Sequence, residues 1–397
     1  ERTELIESES NRWTSSIAVG DLNGDGLPEI VEVNYLDDPL IFQRKCEGPS
    51  LRCTPQRFRA ACDRVFQSVG DGTFRLWDQA QDMGNLPNYG FGVVMANFDG
   101  RAGNDLFLSN DGDLNHFWRS VELQTGTQNR FALTECAGVA GCSIGISGAS
   151  QACMGIASGD FDRNGLLDLM ITNFHNEPVN LFLQNESGFF TDEALKYGLV
   201  ESSTPMLGFG TQAADFDNDG WLDLAILNGH IYDARYADVP FRMLPQLMRG
   251  GPGAFSLQDA QSAGPYWSRL QLGRSLAWLD WNRDGKIDLV ANHLDHPIAI
   301  LQNDSTAENW VQLELLGVRS ERDAIGARVT VHADRQQWTG WQTGGDGYMC
   351  TNEAVIPVGI GRATTIDKIE IEWPLGGVQT VTDIMPNGRY VIIEGQE

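Results

Sequence analysis

The sequence predicts an all-β fold, a ring of four-stranded blades, and three observations carry that expectation. One acidic nine-residue pattern recurs five times: DLNGDGLPE (21–29), NFDGRAGND (97–105), DFDRNGLLD (160–168), DFDNDGWLD (215–223) and DWNRDGKID (280–288). Successive copies start 76, 63, 55 and 65 residues apart. Short apolar strands flank the copies, and no long amphipathic helix is apparent. Several four-stranded units of this length describe a β-propeller, in which closing the ring protects strand edges.

Each unit is punctuated in the same order. A glycine-rich strand comes first: YGFGVVMA (89–96), MGIASG (154–159), LGFGTQAA (207–214) and LGRSLAWL (272–279). The acidic loop follows, then an apolar strand such as LFLSN, LMITN or LAILN, and later a G-x-F element such as GTFRLWDQA or GAFSLQDA. Runs of Val, Ile, Leu and Phe between Gly, Asn and Asp turns read as strands. From about Asn309 the acidic loops stop, while NWVQLELLG, ARVTVHAD, DKIEIEWP and RYVIIEG remain strand-like. The expected division is therefore 1–308 for the repeats and 309–397 for a C-terminal β region. That region either packs on the propeller as a small domain or completes it.

Bulk properties narrow the partners. The 397 residues include 28 Lys and Arg against 54 Asp and Glu, a net charge of −26. Nucleic acid is excluded because a phosphate backbone needs a basic surface. An anionic membrane surface is disfavoured equally. No apolar run is long enough to span a bilayer, and the polar start ERTELIESES has no signal-peptide core, which leaves a leader removed beforehand as an open expectation. Seven cysteines without a CxxC pair argue against a zinc ribbon. The spacing of Cys136 and Cys142 suits a short disulfide loop, and disulfides imply a secreted or periplasmic protein.

The acidic loops carry the strongest chemical signal. Calcium takes six to eight oxygens, and alternating side chains at positions 1, 3 and 5 can wrap one ion. Glycine at 6 permits the turn, and the acid at 9 closes the shell. An EF-hand would place its last acid at 12 and flank the loop with helices, so that reading fails. One such turn would be explained by turn propensity alone; four full copies favour calcium. The expected ligand sets are Asp21, Asn23, Asp25 and Glu29; Asp160, Asp162, Asn164 and Asp168; Asp215, Asp217, Asp219 and Asp223; and Asp280, Asn282, Asp284 and Asp288. The second copy has Arg101 at position 5. Its guanidinium is expected to pair with Asp99 and Asp105 in place of an ion. The calcium role is expected to be structural.

The Phe-Gly strand, the D-x-D-x-D-G-x-x-D loop and the strand after it resemble the FG-GAP (VCBS-type) repeats of integrin-α-like propellers. GRSLAWLDWNRDGKIDLVANHLDHPIAILQN (273–303), RDAIGARVTV (322–331), GGDGYMCTN (344–352) and VGIGRATTIDKIEIEWPLGGVQTV (358–381) resemble the ASPIC and UnbV domain. From about residue 13 to 395 the chain is similar to the cartilage acidic protein family and its bacterial relatives. Met349-Cys350-Thr351 departs from the family's Ser-Gln after Gly-Tyr, and the family's His is missing from EAVIPVGIG. The resemblance implies an extracellular, calcium-binding propeller of seven blades and no particular reaction.

Histidines give a second lead. His175, His230, His293 and His296 follow the strand after an acidic loop. That strand runs away from the loop, so these imidazoles are expected at the channel mouth on the opposite face. Asp113, Glu177, Asp233, Asp295, Arg235 and Arg274 are near them in sequence. Converging imidazoles can act as acid/base groups or bind a second, transition metal; the alternative is repeated turns in which imidazoles meet backbone carbonyls. Tryptophans such as Trp278, Trp281, Trp338 and Trp341 are expected to be packing residues more than a sugar platform. The leading functional expectation is a calcium-stabilised module binding a glycan, protein or small molecule on the face opposite the calcium loops. The alternative is a lyase, isomerase or cyclase at that mouth, with the segment 228–251 as a lid.

Overall fold

Register is the simplest statement of the fold. In each of the first five sheets an inner strand pairs antiparallel with the next strand across an acidic loop. The residue before the loop faces its ninth position every time: Gly20 with Glu29, Ala96 with Asp105, Gly159 with Asp168, Ala214 with Asp223 and Leu279 with Asp288. The computed structural model describes residues 12–41, 43–46, 53–123, 131–186, 188–233 and 235–396. The N-terminal stretch considered for a leader lies outside them.

The five inner strands are Arg12–Gly20, Gly90–Ala96, Ile156–Gly159, Gly208–Ala214 and Gly273–Leu279. Strands follow in sequence order through each blade, four deep in the first, third and fourth and three deep in the fifth. The chain is all-β and propeller-like. Its cores lie between blades, because each sheet buries both faces against its neighbours. Val33, Met95 and Trp118 share one cluster; Phe107, Ile171 and Phe182 the next; Leu181, Leu224 and Phe255 a third; and Leu227, Leu276 and Leu289 a fourth.

The Phe-Gly pairs of the inner strands have a steric cause. A Cβ on Gly92 would lie 2.8 Å from the Met154 carbonyl of the next blade, and Cβ atoms on Gly155 and Gly210 would strike the Phe209 and Arg274 carbonyls. Backbones of adjacent inner strands therefore nest where only glycine fits. The Ser109 and Thr172 hydroxyls donate across the same seams to Met154 O and Phe209 O, each at 2.9 Å.

The last two sheets differ from blades. One holds Asn309–Leu316, Ile356–Gly361 and Gly388–Ile393, and the other Arg328–Ala333, Gln336–Trp341, Lys368–Glu372 and Val378–Val381. They share a single core that includes Val311, Val329, Val358, Ile369 and Trp373. These sheets meet the acidic-loop face. Trp338 lies against Gly220, Trp310 against Gly285 and Arg319 O against Gly26, while Gln312 donates to Asp280 at 2.9 Å.

The cysteine expectation needs correction. Cys46 and Cys53 form a disulfide, whereas Cys136 and Cys142 are free thiols. One helical turn, Ala137–Ala140, separates them and turns each Sγ toward a backbone carbonyl, Phe117 O at 3.4 Å and Ala137 O at 3.9 Å.

Candidate functional site

Four of the five acidic loops are built around two carboxylates with fixed backbone duties, and the second opens on Asn97, whose Oδ1 accepts from Gly100 N. The position-1 acid folds the loop over itself. Asp160 accepts from Asn164 and Gly165, Asp215 from Asp219 and Gly220, and Asp280 from Asp284 and Gly285, at 2.7–3.1 Å. Asp21 does the same with Gly24 and Gly26. The position-9 acid accepts from the position-2 amide in all five copies: Leu22, Phe98, Phe161, Phe216 and Trp281. It also accepts from an amide farther along its blade, among them Ser120, Gln184, Gly250 and Asn303 at 2.6–2.8 Å. The closing acid thus ties the hairpin to the rest of the blade.

The remaining carboxylate oxygens converge in the third and fourth loops, and among the described residues the first and fifth show no such trio. Asp160, Asp162 and Asp168 offer ligand oxygens within 4.8 Å of one another, as do Asp215, Asp217 and Asp223, so each trio can hold a metal ion. Asp217 Oδ1 is buried without a hydrogen-bond partner. Burial pushes Glu29 up to about 8 and Asp160 and Asp223 up to about 7, and drives Asp168 and Asp215 well above the usual carboxylate range. Neighbouring acids add to each of these shifts. A hard dication is the ligand that such all-oxygen sets suit. In the first loop Asn23 Nδ2 donates to Glu29 at 2.8 Å, and Asp25 accepts from Leu27 at 2.9 Å. In the fifth, Asn282 Nδ2 donates to Asp284 at 3.0 Å, and Asp288 is raised by burial. Asn164 Nδ2 reaches Gln184 O at 2.8 Å.

Two arginines qualify this pattern. In the second loop Arg101 approaches Asp99 at 3.6 Å but is 75% exposed. The pairing expected with Asp105 falls to backbone amides instead, and the second cation on Asp99 is Arg119 at 3.5 Å, set over the rings of Phe117 and Phe189. In the fourth loop Arg249 reaches Asp217 at 2.6 Å and Asp219 at 2.8 Å from the rim.

A feature that sequence reasoning missed runs through the centre. Residues 344–353 leave the C-terminal sheets and touch every inner strand. Gly344 and Gly345 pair with Met95 and Val94, and Gly347 bridges Ile156. Ser158 Oγ donates to Asp346 at 2.9 Å, and Asn352 Nδ2 to Gln212 at 2.9 Å. Cys350 Sγ donates to Leu276 O at 3.0 Å, Trp278 N donates to Asn352 at 3.0 Å, and Gly344 packs near Val19 O. At the tip, Tyr348 packs with Phe91, Met154 and Phe209. The glycine-rich GGDGYMCTN string was the available signal, since three glycines around one acid mark a backbone that must pass close to others.

The histidines fall into two pairs. His175 and His230 have ring centroids 6.1 Å apart, and His293 and His296 6.3 Å. His293 Nδ1–H donates to Pro297 O at 3.1 Å, and the Tyr266 hydroxyl donates to its Nε2 at 2.7 Å. Both ring nitrogens are engaged with the imidazole neutral, and burial lowers its pKa. His175 Nδ1–H donates to Pro205 O at 3.1 Å, and His230 Nδ1 accepts from Tyr232 N at 3.3 Å. His296 lies 3.2 Å from Asp295, which itself holds Arg242 at 2.6 Å. That ion pair, with buried Met243, anchors the second half of the 228–251 segment. Arg274 stacks 4.0 Å over Phe209 and donates to Gly229 O and His230 O, joining the fourth and fifth blades. Glu177 accepts from Ala152 N, and Asp233 pairs with Arg235.

Comparisons with known proteins agree with the motifs. A family described as FG-GAP-like repeat matches residues 160–226, and one described as ASPIC and UnbV matches residues 317–397. Cartilage acidic protein 1 of Mus musculus is 27% identical over 326 residues, 79% of this chain and 46% of that protein. Its counterpart in Xenopus tropicalis is 26% identical over 334 residues, 80% of this chain and 47% of that protein. The chain spans about half the length of the curated relatives it matches. Among solved structures, an Agrocybe aegerita lectin recognising non-reducing terminal N-acetylglucosamine superposes with a TM-score of 0.33 at 14% identity, covering 74% of this chain and 82% of its own. The exotype rhamnogalacturonan lyase YesX superposes with a TM-score of 0.37 at 12% identity, covering 94% of this chain and 65% of its own. Superpositions this loose transfer no site. The chain is therefore similar to an FG-GAP-like repeat over residues 160–226, to ASPIC and UnbV over residues 317–397, and to cartilage acidic protein 1 over most of its length.

Proposed function

We propose that this protein is a calcium-stabilised, secreted or periplasmic binding module whose ligand docks on the face opposite the acidic loops. Calcium occupies the first, third, fourth and fifth loops and acts by neutralising buried carboxylates that otherwise repel one another. Asp21, Asp160, Asp215 and Asp280 open these sets, and Glu29, Asp168, Asp223 and Asp288 close them. Residues 309–397 act as a cap on the loop face. The Cys46–Cys53 disulfide and the likeness to a cartilage protein support the extracellular setting.

The observation that carries the docking face is coverage. The C-terminal sheets sit over the acidic loops, so the mouth at the other end of the blades is left for a partner. Leu114 and Leu294 follow the strands that run away from the loops, Tyr236 lies in the 3-10 turn after the fourth of them and Met349 near the tip of the central segment; the four are 48–66% exposed. A binding role suits this mouth better than acid/base catalysis, because His293 spends both ring nitrogens on structural partners. The test is binding of the calcium-loaded protein to immobilised glycans and matrix proteins, compared with the combined Tyr236→Ala, Leu294→Ala, Met349→Ala variant. Binding lost at unchanged melting temperature is expected; full retention would remove the far face from consideration.

A further inference from the structure

We infer that the cleft between the fourth and fifth blades takes an extended peptide of a partner protein, which adds a fourth strand to the fifth blade and seats an aromatic side chain flanked by basic residues. This surface is separate from the far-face mouth and does not depend on it.

The repeat defines what such a strand does. The fourth strands of the third and fourth blades, Phe189–Asp192 and Ala254–Leu257, run antiparallel to the third strand of their own blade. Each turns one phenylalanine into the seam shared with the preceding blade. Phe190 packs with Phe98 at 6.2 Å between ring centroids, and Phe255 with Phe161 at 5.9 Å. Phe98 and Phe161 hold position 2 of the second and third acidic loops. Phe255 also meets Tyr197 at 6.2 Å, in the segment that follows the third blade's last strand.

The seam between the fourth and fifth blades has the receiving half of this arrangement. Phe216 holds position 2 of the fourth loop, and Trp267 lies in the segment after the fourth blade's last strand. Both line a cleft of about 690 Å³, together with Leu247, Leu289 and Leu301. The fifth blade sends no phenylalanine into it. Among the described residues its third strand, Ala299–Leu301, pairs only with Asp288–His293, and its other edge is open. An open edge offers backbone groups to another strand, and extended peptides bind proteins in this way, with side-chain pockets setting the choice.

Charge narrows the partner. The charged residues lining the cleft are Asp217, Asp223, Asp304 and Arg249. Arg249 is held by Asp217 at 2.6 Å and Asp219 at 2.8 Å. Lys286, which reaches Ser305 O at 3.5 Å, is paired with Asp284 at 3.3 Å. A dication in the fourth loop does not reverse the sign, because the four loop carboxylates and Asp304 outnumber that ion and Arg249 by five charges to three. Basic flanks complement such a rim, whereas the chain's own acidic start, ERTELIESES, does not.

The experiment titrates the calcium-saturated full chain into fluorescein-labelled KGAFSLK and follows anisotropy. The GAFSL core is the fourth blade's own strand, residues 253–257. KGAASLK lacks the aromatic anchor, and EGAFSLE reverses the flanks. The alanine peptide should bind about tenfold or more weakly, the order of one buried aromatic side chain. The glutamate peptide should also bind more weakly, with a difference that shrinks as salt is added. Ala263→Trp, on the cleft wall, should abolish binding of KGAFSLK. With a benzophenone in place of the probe's phenyl ring, crosslinks should fall within 247–267 or 287–305. No binding, equal affinity of the phenylalanine and alanine peptides, undiminished binding by folded Ala263→Trp, or crosslinks only elsewhere would each overturn the proposal. Tighter binding of ERTELIESES or of N-acetylphenylalanine amide overturns it too, by giving the cleft to the chain's own start or to a small molecule. If Ala263→Trp does not fold, the peptide series and the crosslinks decide on the unmodified chain.

Discussion

Replacing Gly220 by alanine probes the loop turn and the docking of the C-terminal sheets together. Gly220 holds position 6 of the fourth loop at φ +91°, and an added Cβ would overlap the Trp338 indole nitrogen. Trp338 is 6% exposed in the core of the C-terminal sheets, so it has little room to retreat. An L-residue in left-handed backbone costs about 1–2 kcal/mol. Overpacking a settled side chain adds about 1–3 kcal/mol. The expected loss is therefore about 2–5 kcal/mol. Gly165 supplies the control, since it has the same loop position at φ +84° but its Cβ would meet only Thr339 Oγ1 at 3.8 Å. Gly165→Ala should lose only the backbone contribution, about 1–2 kcal/mol. Urea unfolding of both variants with saturating calcium gives the comparison. If Gly165→Ala costs as much as Gly220→Ala, the C-terminal sheets are not seated on the fourth loop and the reasoning fails.

Further outcomes can be checked in the same assays. Excess chelator should lower the melting temperature; calcium at 100 times its dissociation constant is worth about 2.7 kcal/mol per site, and an unchanged transition would rule out structural calcium. Arg119→Met should cost about 3 kcal/mol because Asp99 is left buried without its inner cation, and chelation should neither deepen nor relieve that loss in the second loop. Tyr266→Phe removes the hydroxyl that serves His293 and should cost about 1 kcal/mol, leaving ligand binding unchanged; a large binding defect would give His293 a functional role.

Asp63 sets a pH dependence. Burial pushes its pKa from 3.8 up to about 7, with Asn34 N and Asn88 Nδ2 only partly offsetting the shift. A folded pKa above the unfolded one means that stability is full below about pH 4 and falls as pH rises to about 7. A rise of that size corresponds to roughly 4 kcal/mol. The stability difference between wild type and Asp63→Asn should therefore change across that window, and a constant difference would show that Asp63 does not titrate there.

Legibility followed sequence distance. The inner strands and the first two strands of each blade could be read because each pairing closes over one nine-residue loop, as Asp105 facing Ala96 shows. The Phe-Gly pairs were visible as a pattern, but their cause, a carbonyl of the next blade, lies in another repeat. The cysteine expectation failed for a related reason. A spacing of six residues permits a bridge, while the helical turn between Cys136 and Cys142 aims both thiols at carbonyls. His175 and His230 share a place in the repeat and pack as one pair while His293 and His296 form another, and Tyr266, 27 residues from His293, took the nitrogen that chemistry would need.

The acidic loops were determined by sequence alone, because the position-1 and position-9 carboxylates meet amides within their own loops, as Asp215 meets Gly220 five residues on. The channel was decided by tertiary structure alone. Ser158 meets Asp346 across 188 residues, and Gln212 meets Asn352 across 140. No local propensity encodes such contacts; they exist because five nested inner strands leave an axis that one glycine-rich segment is narrow enough to enter.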